Sequence, residues 1–280
     1  MKYLLFTIIA ILFLVGAGCG IQPTFVDNQN NQGNQNSEPL INTNTNVNIN
    51  TNTNVNSASN SNQVPPANIN TNTNTDKTPP ETTLPDKFDI KVSFASQAPL
   101  GDWSMPYQEA CEEASMIMAA RYFKNEKLDA SIMDQEILKV VKWEEDNGYP
   151  IDLTAGQVEE VLEKYFGLKA SLNKTVSETE IKKKLVAGNL IIVPLAGRDI
   201  GNPFYHQPGP LYHMLLIRGF DEDEFITNDP GTRRGEAYRY LYGDLLWAVH
   251  DWVGGVREFQ DPRPEPDMRT GARVMVVVGK

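Results

Sequence analysis

An α+β domain is predicted for residues 87–280 by three observations. Apolar residues recur at helical spacing from Cys111 to about Gly188, short apolar runs bounded by turn residues follow from Leu190 to Val278, and the two patterns succeed one another instead of alternating. The expected architecture is a helical first half packed on an antiparallel sheet, with a cleft between the halves. A stretch of this length suits one compact domain.

Asp89 to Phe94 opens the domain as a half-buried strand, because Ile90, Val92 and Phe94 alternate with polar residues. The next segment turns from a Pro-bearing loop into a helix at Cys111 and runs to about Phe123. Met116, Ile117, Met118, Ala119, Ala120 and Tyr122 make that helix apolar around most of its circumference, so it is expected to be central and buried. Ser131 to about Trp143 forms a second helix. A third starts at Thr154, where Gln157 completes a capping-box pattern and Val158, Val161, Leu162, Tyr165 and Phe166 form one face before Gly167. Ser177 and Glu180 start a short helix that Gly188-Asn189 stops. Strands are expected at Leu190 to Leu195, Tyr212 to Phe220, Glu224 to Thr227, near Tyr238 to Tyr240, and at Arg273 to Val278. An amphipathic helix carrying Leu245, Leu246, Val249 and Trp252 interrupts them.

The first 86 residues have another character. Met1-Lys2 is a short basic start, Tyr3 to Val15 is nearly unbroken apolar sequence, and Gly16-Ala17-Gly18-Cys19 closes it with small residues and a thiol. The apolar core is shorter than the roughly 20 residues a bilayer span requires, so residues 1–18 read as a secretory signal peptide. Ala-Gly-Cys resembles a bacterial lipobox, which implies lipidation of Cys19, although Gly16 stands where such motifs usually carry Leu. An uncleaved N-terminal anchor is the alternative, and both readings place the chain outside the cytoplasm, held at a membrane. Residues 19–86 are dominated by Asn, Thr, Ser and Gln, with T-N-T-N runs and the pairs Pro65-Pro66 and Pro79-Pro80. They lack the apolar content to offset ordering entropy and are expected to form a disordered tether reaching about 40 Å as a flexible coil. The net charge of −11 makes nucleic acid and anionic headgroups poor partners for the exterior.

With Cys19 assigned to lipid, Cys111 is the one thiol left for chemistry among the chain's two cysteines. Its place at a helix N-terminus favours the thiolate, while Glu109, Glu112 and Glu113 around it oppose that charge. A base is therefore needed. Of the three histidines, His206 sits in a Pro- and Gly-rich loop and His250 on the polar side of the late helix. His213 starts the apolar strand Y-H-M-L-L-I-R-G-F, where a structural role would go to a β-branched residue. Antiparallel pairing of that strand with Glu224 to Thr227 brings Asp229, just past the hairpin's second strand, back toward His213. Asp229 then becomes a candidate to orient the imidazole. Trp103 and Tyr107 are candidates for lining the cleft. The histidines are too scattered to form a metal-ligand set with one thiol, and no cofactor is expected.

The segments S-Q-A-P-L-G-D-W (Ser96 to Trp103), Q-E-A-C-E-E-A-S-M-I-M, Y-H-M-L-L-I-R-G-F-D and N-D-P-G-T resemble the C39-like cysteine peptidases of the papain-like superfamily, in the order Gln, Cys, His, Asp. The resemblance implies a papain-like fold and peptide or protein substrates. It also implies a catalytic set of Cys111, His213 and Asp229, with Gln97 in an oxyanion hole. Gln108, three residues before Cys111, is the competing glutamine. The same thiol chemistry would serve a cell-wall peptide amidase or transpeptidase, and an inactive relative would be a tethered peptide-binding module.

Overall fold

The computed structural model describes residues 83–255 and 263–280, which belong to a unit spanning Asn74–Lys280. The expected signal segment, Cys19 and nearly all of the Asn/Thr-rich stretch lie outside the described residues. Among the described residues no helix is long and apolar enough to cross a membrane.

A helix without a polar face has to be enclosed. The first helix, α1 (Cys111–Lys124), is buried at every position from Cys111 to Ala120, and left-handed Asn125 closes it through its backbone N–H to the carbonyls of Arg121 and Tyr122. Asp129 caps α2 (Ala130–Asp146) by accepting from the Ile132 amide. Thr154 and Gln157 form the expected capping box at the start of α3 (Ala155–Lys164), and Ser177 caps α4 (Glu178–Val186) through the Glu180 amide.

The strands β1 (Phe88–Asp89), β2 (Lys169–Asn173), β3 (Leu190–Ala196), β4 (Tyr212–Asp221), β5 (Glu224–Asn228), β6 (Tyr238–Leu241) and β7 (Met275–Gly279) form one seven-stranded sheet with every pairing antiparallel. Its order is β2-β7-β3-β4-β5-β6, with β1 added beside β4. Strand β3 is buried throughout and β4 nearly so, since α1 packs on this part of the sheet. A short fifth helix, α5 (Tyr242–Ala248), follows β6. The fold is α+β, five helices packed with an antiparallel sheet.

Three local expectations differ from the observed elements. Residues 90–94 alternate in burial as a strand would, yet the ladder stops at Asp89. Beyond the Ile90 amide, which still donates to the Arg218 carbonyl at 3.0 Å, side chains replace the ladder: Arg218 Nη1 and Asn228 Nδ2 each donate to the Val92 carbonyl at 3.2 Å, beside a bulge between β4 and β5. Strand β2 was not expected, because Lys169–Asn173 is a mostly solvent-facing edge without a β-branched run, held by register with β7 from the far end of the chain. The late helix ends at Ala248, before Val249 and Trp252. There the chain turns extended to bridge Leu195 with Val249, and the His250 amide donates to the Pro194 carbonyl at 3.1 Å.

Candidate active site

Cys111 is the first residue of α1, and its sulfur meets two groups. It accepts from the Met214 backbone N–H at 3.3 Å and donates to Glu112 Oε2 at 2.9 Å. The other oxygen of Glu112 accepts from the Leu153 amide at 3.1 Å, which fixes the carboxyl in place. Burial pushes the Cys111 thiol well above its ordinary value, and the neighbouring Glu112 charge and hydrogen bond add to the effect. Glu112 is itself pushed up, by burial first and then by Glu113 and Asp152. The helix N-terminus alone does not make this sulfur a thiolate: desolvation and an adjacent carboxyl outweigh it.

His213 precedes Met214 on β4, so the strand that touches the sulfur also carries the imidazole. The β4–β5 hairpin, with Leu216 opposite Asn228, returns Asp229 to the start of β4. His213 Nε2 and Asp229 Oδ1 lie 2.8 Å apart, both side chains buried. Asp229 is saturated with donors. Its Oδ1 also accepts from the Gly231 amide at 3.0 Å, and its Oδ2 accepts from the Tyr240 hydroxyl at 2.5 Å, the Tyr205 hydroxyl at 2.7 Å and Asn202 Nδ2 at 3.0 Å. Burial works to raise the Asp229 carboxyl, but His213 and the two tyrosines together hold it below the ordinary aspartate value. An ionised carboxylate only accepts, so Nε2 carries the hydrogen and Nδ1 is the basic nitrogen of His213. Gly231 backs the ring closely; a Cβ there would lie 2.8 Å from His213 Cε1. Sequence reasoning missed Asn202, Tyr205 and Tyr240, which are distant from Asp229 along the chain and unmarked by any motif.

A cleft of about 600 Å3 is lined by Gln97, Trp103, Cys111, His206, Tyr212 and His213 among others. Gln97 is buried at its wall, where Nε2 donates to the carbonyls of Tyr107 at 3.0 Å and Gln108 at 2.9 Å, while its buried Oε1 has no partner. The amide thus ties down the turn that leads into Cys111. Gln108 also lines the cleft, and its Nε2 donates to Glu109 Oε1 at 2.7 Å. Trp103 lines the cleft as expected; Tyr107 does not, and its hydroxyl donates instead to Asp134 on α2 at 2.6 Å. His206 reaches the cleft from an exposed loop, and His250 lies past α5 with Nδ1 against the Gly271 carbonyl at 3.0 Å. Among the described residues, no three His, Cys, Asp or Glu side chains are grouped to hold a metal ion.

A family model, the Peptidase_C39 like family, matches residues 89–249, more than half of the chain, including α1, β4 and Asp229. The chain belongs to this family. A crystal structure assigned to a C39-like peptidase from Bacillus anthracis is similar at 13% identity and a TM-score of 0.45, covering 70% of this chain and 98% of the other. No curated protein matches the chain. The matched span of this C39-like protein holds Cys111, His213 and Asp229, and leaves out the first 88 residues.

Proposed function

We propose that this C39-like protein is a cysteine peptidase in which Cys111 is the nucleophile, His213 the base and Asp229 the group that orients it. The observation that carries the proposal is the buried His213–Asp229 pair, with His213 on the strand whose next amide holds the Cys111 sulfur. Nδ1 of His213 takes the thiol proton, and the sulfur electron pair attacks the substrate carbonyl carbon. The Cys111 backbone N–H, at the open end of α1, stabilises the oxyanion. Gln97 joins it by turning one Nε2 hydrogen away from a loop carbonyl. The intermediate collapses, the C–N bond breaks, and the Nδ1 proton goes to the leaving amine. Water, deprotonated by His213, then hydrolyses the thioester and restores the thiol. The resting sulfur must first give up its hydrogen bond to Glu112.

The tether belongs to the same proposal. A signal-like segment ending at Cys19 and a polar spacer would hold the domain outside the cell at a membrane, with peptide or protein substrates in reach. Cys19→Ala in the full chain should shift it from the membrane fraction to the soluble one; unchanged partitioning would remove the lipid anchor from the reading.

Alkylation tests the chemistry. Full-length protein is treated with iodoacetamide near neutral pH, and mass spectrometry separates Cys111 from Cys19. Modification of Cys111 should slow at least tenfold in His213→Ala, and Cys111→Ser should abolish peptide cleavage. Labelling of Cys111 that ignores His213 would sink the peptidase reading and leave a tethered binding module.

A further inference from the structure

Beside the cleft lies a second cavity of about 400 Å3, and the two share Glu109 and Ile151 in their walls. Glu109 stands two residues before Cys111, and Glu113, on the inner wall of the second cavity, two residues after it. The two cavities therefore adjoin beside the first turn of α1. Facing Glu113 from α2 is Glu144. The two carboxyls are 3% and 4% exposed and share a hydrogen bond, yet Glu113 Oε2 and Glu144 Oε1 have no partner.

A buried acceptor without a donor costs on the order of 1–3 kcal/mol, and two of them meet here at one cavity. Burial pushes both carboxyls up, Glu144 to about 7, and a cation held beside them would favour their ionised form, the released proton passing to solvent. The remaining wall fits an alkyl stem: Met105, Leu138 and Ile151 are 37%, 47% and 37% exposed, and Val141 and Tyr149 complete it. Glu109 and Glu145 add negative charge, while Lys142, the one basic residue of the lining, is engaged by Asp146.

Resting on the peptidase reading for its orientation, we infer that this cavity is a specificity subsite for a basic substrate side chain, whose cationic head pairs with the incompletely partnered carboxyls of Glu113 and Glu144. Among the described residues no three His, Cys, Asp or Glu side chains are grouped to hold a metal ion, so the four carboxyls of this wall do not form a divalent-cation site. A lysyl or arginyl side chain matches both the apolar walls and the acidic end.

Binding tests this apart from catalysis. Full-length Cys111→Ala protein is titrated with peptides alike except for lysine, arginine or norleucine at one position, scanned along the peptide. The lysyl or arginyl peptide should bind at least tenfold more tightly than the norleucine peptide at one position. That ratio should fall to near one when Glu144→Gln or Glu113→Gln is added, each checked for its native circular dichroism. Equal affinities at every position, no binding of the basic peptides, or a ratio that survives both substitutions overturns the inference. If the basic peptides bind selectively but wild type cleaves none of them, the peptidase reading fails and the subsite stands.

Discussion

The proton on Cys111 has two destinations. In the resting site it points at Glu112 Oε2, and in the proposed reaction it goes to His213 Nδ1. Replacing Glu112 by Gln keeps an oxygen for the Leu153 amide, removes a carboxyl that opposes the thiolate once ionised, and offers an N–H to the sulfur. The apparent thiol pKa should then drop by about one unit or more, and alkylation near pH 7 should quicken about tenfold. A pH–rate profile for iodoacetamide that is identical in wild type and Glu112→Gln would show that the carboxyl does not govern the thiol. The same scale decides what holds Asp229. Three side-chain donors converge on Oδ2, so Tyr240→Phe should destabilise the fold by about 1.5–3 kcal/mol, the range for a hydrogen bond to a charged group. Most of that cost should vanish in an Asp229→Ala background, measured by urea denaturation as a double-mutant cycle. Additive costs would mean that the hydroxyl acts through something other than Asp229.

Elements carry these groups to each other, and the sheet does so with little slack. Gly219 lies opposite Asp89, and a Cβ there would sit 2.4 Å from the Phe88 carbonyl oxygen, a backbone atom unable to swing aside. Gly219→Ala should therefore push β1 off β4 and cost about 1–3 kcal/mol in urea denaturation; a neutral effect would mean that β1 contributes nothing to the domain's stability. Much of this level was legible in the sequence. Thr154 with Gln157, Ser177 and the unbroken apolar face from Met116 to Ala120 each act through neighbours close along the chain, so local pattern located α3, α4 and α1. The hairpin predicted from Y-H-M-L-L-I-R-G-F and the following strand brought His213 to Asp229 for the same reason. What stayed hidden depends on distant partners. Strand β2 exists through β7, the stop of α5 through β3, and the donors on Asp229 through a loop and an adjacent strand. Glu112 showed the limit of local argument most directly: its charge beside Cys111 was visible, but its burial and its grip on the Leu153 amide were not.

At the scale of the whole molecule, the buried acids set how stability follows pH. Asp229 and Asp89 are held below the ordinary aspartate value, Asp89 by Arg218 and Lys91 against a burial cost, so their contribution is present above about pH 4 and lost in acid. Glu112, Glu113 and Glu144 act in the opposite sense. Their folded-state values are raised, so the native state binds protons that the unfolded chain has already released. The stability they provide is complete below the ordinary glutamate value of 4.5 and is lost as pH rises through the folded value, about 7 for Glu144. The window for Glu144 is therefore about pH 4.5 to 7, and the rise corresponds to at most about 3–4 kcal/mol. Urea midpoints of the full chain should fall between pH 5 and 8. Glu144→Gln, which keeps a donor for Glu113 without a charge, should flatten that fall and be more stable than wild type at pH 8, with little difference at pH 4.5. Self-repulsion in a chain of net charge −11 also grows with pH, but it is nearly the same in both proteins and drops out of the comparison. Parallel curves for wild type and Glu144→Gln across the whole range would place the pH dependence in surface repulsion and remove the buried pair as its source.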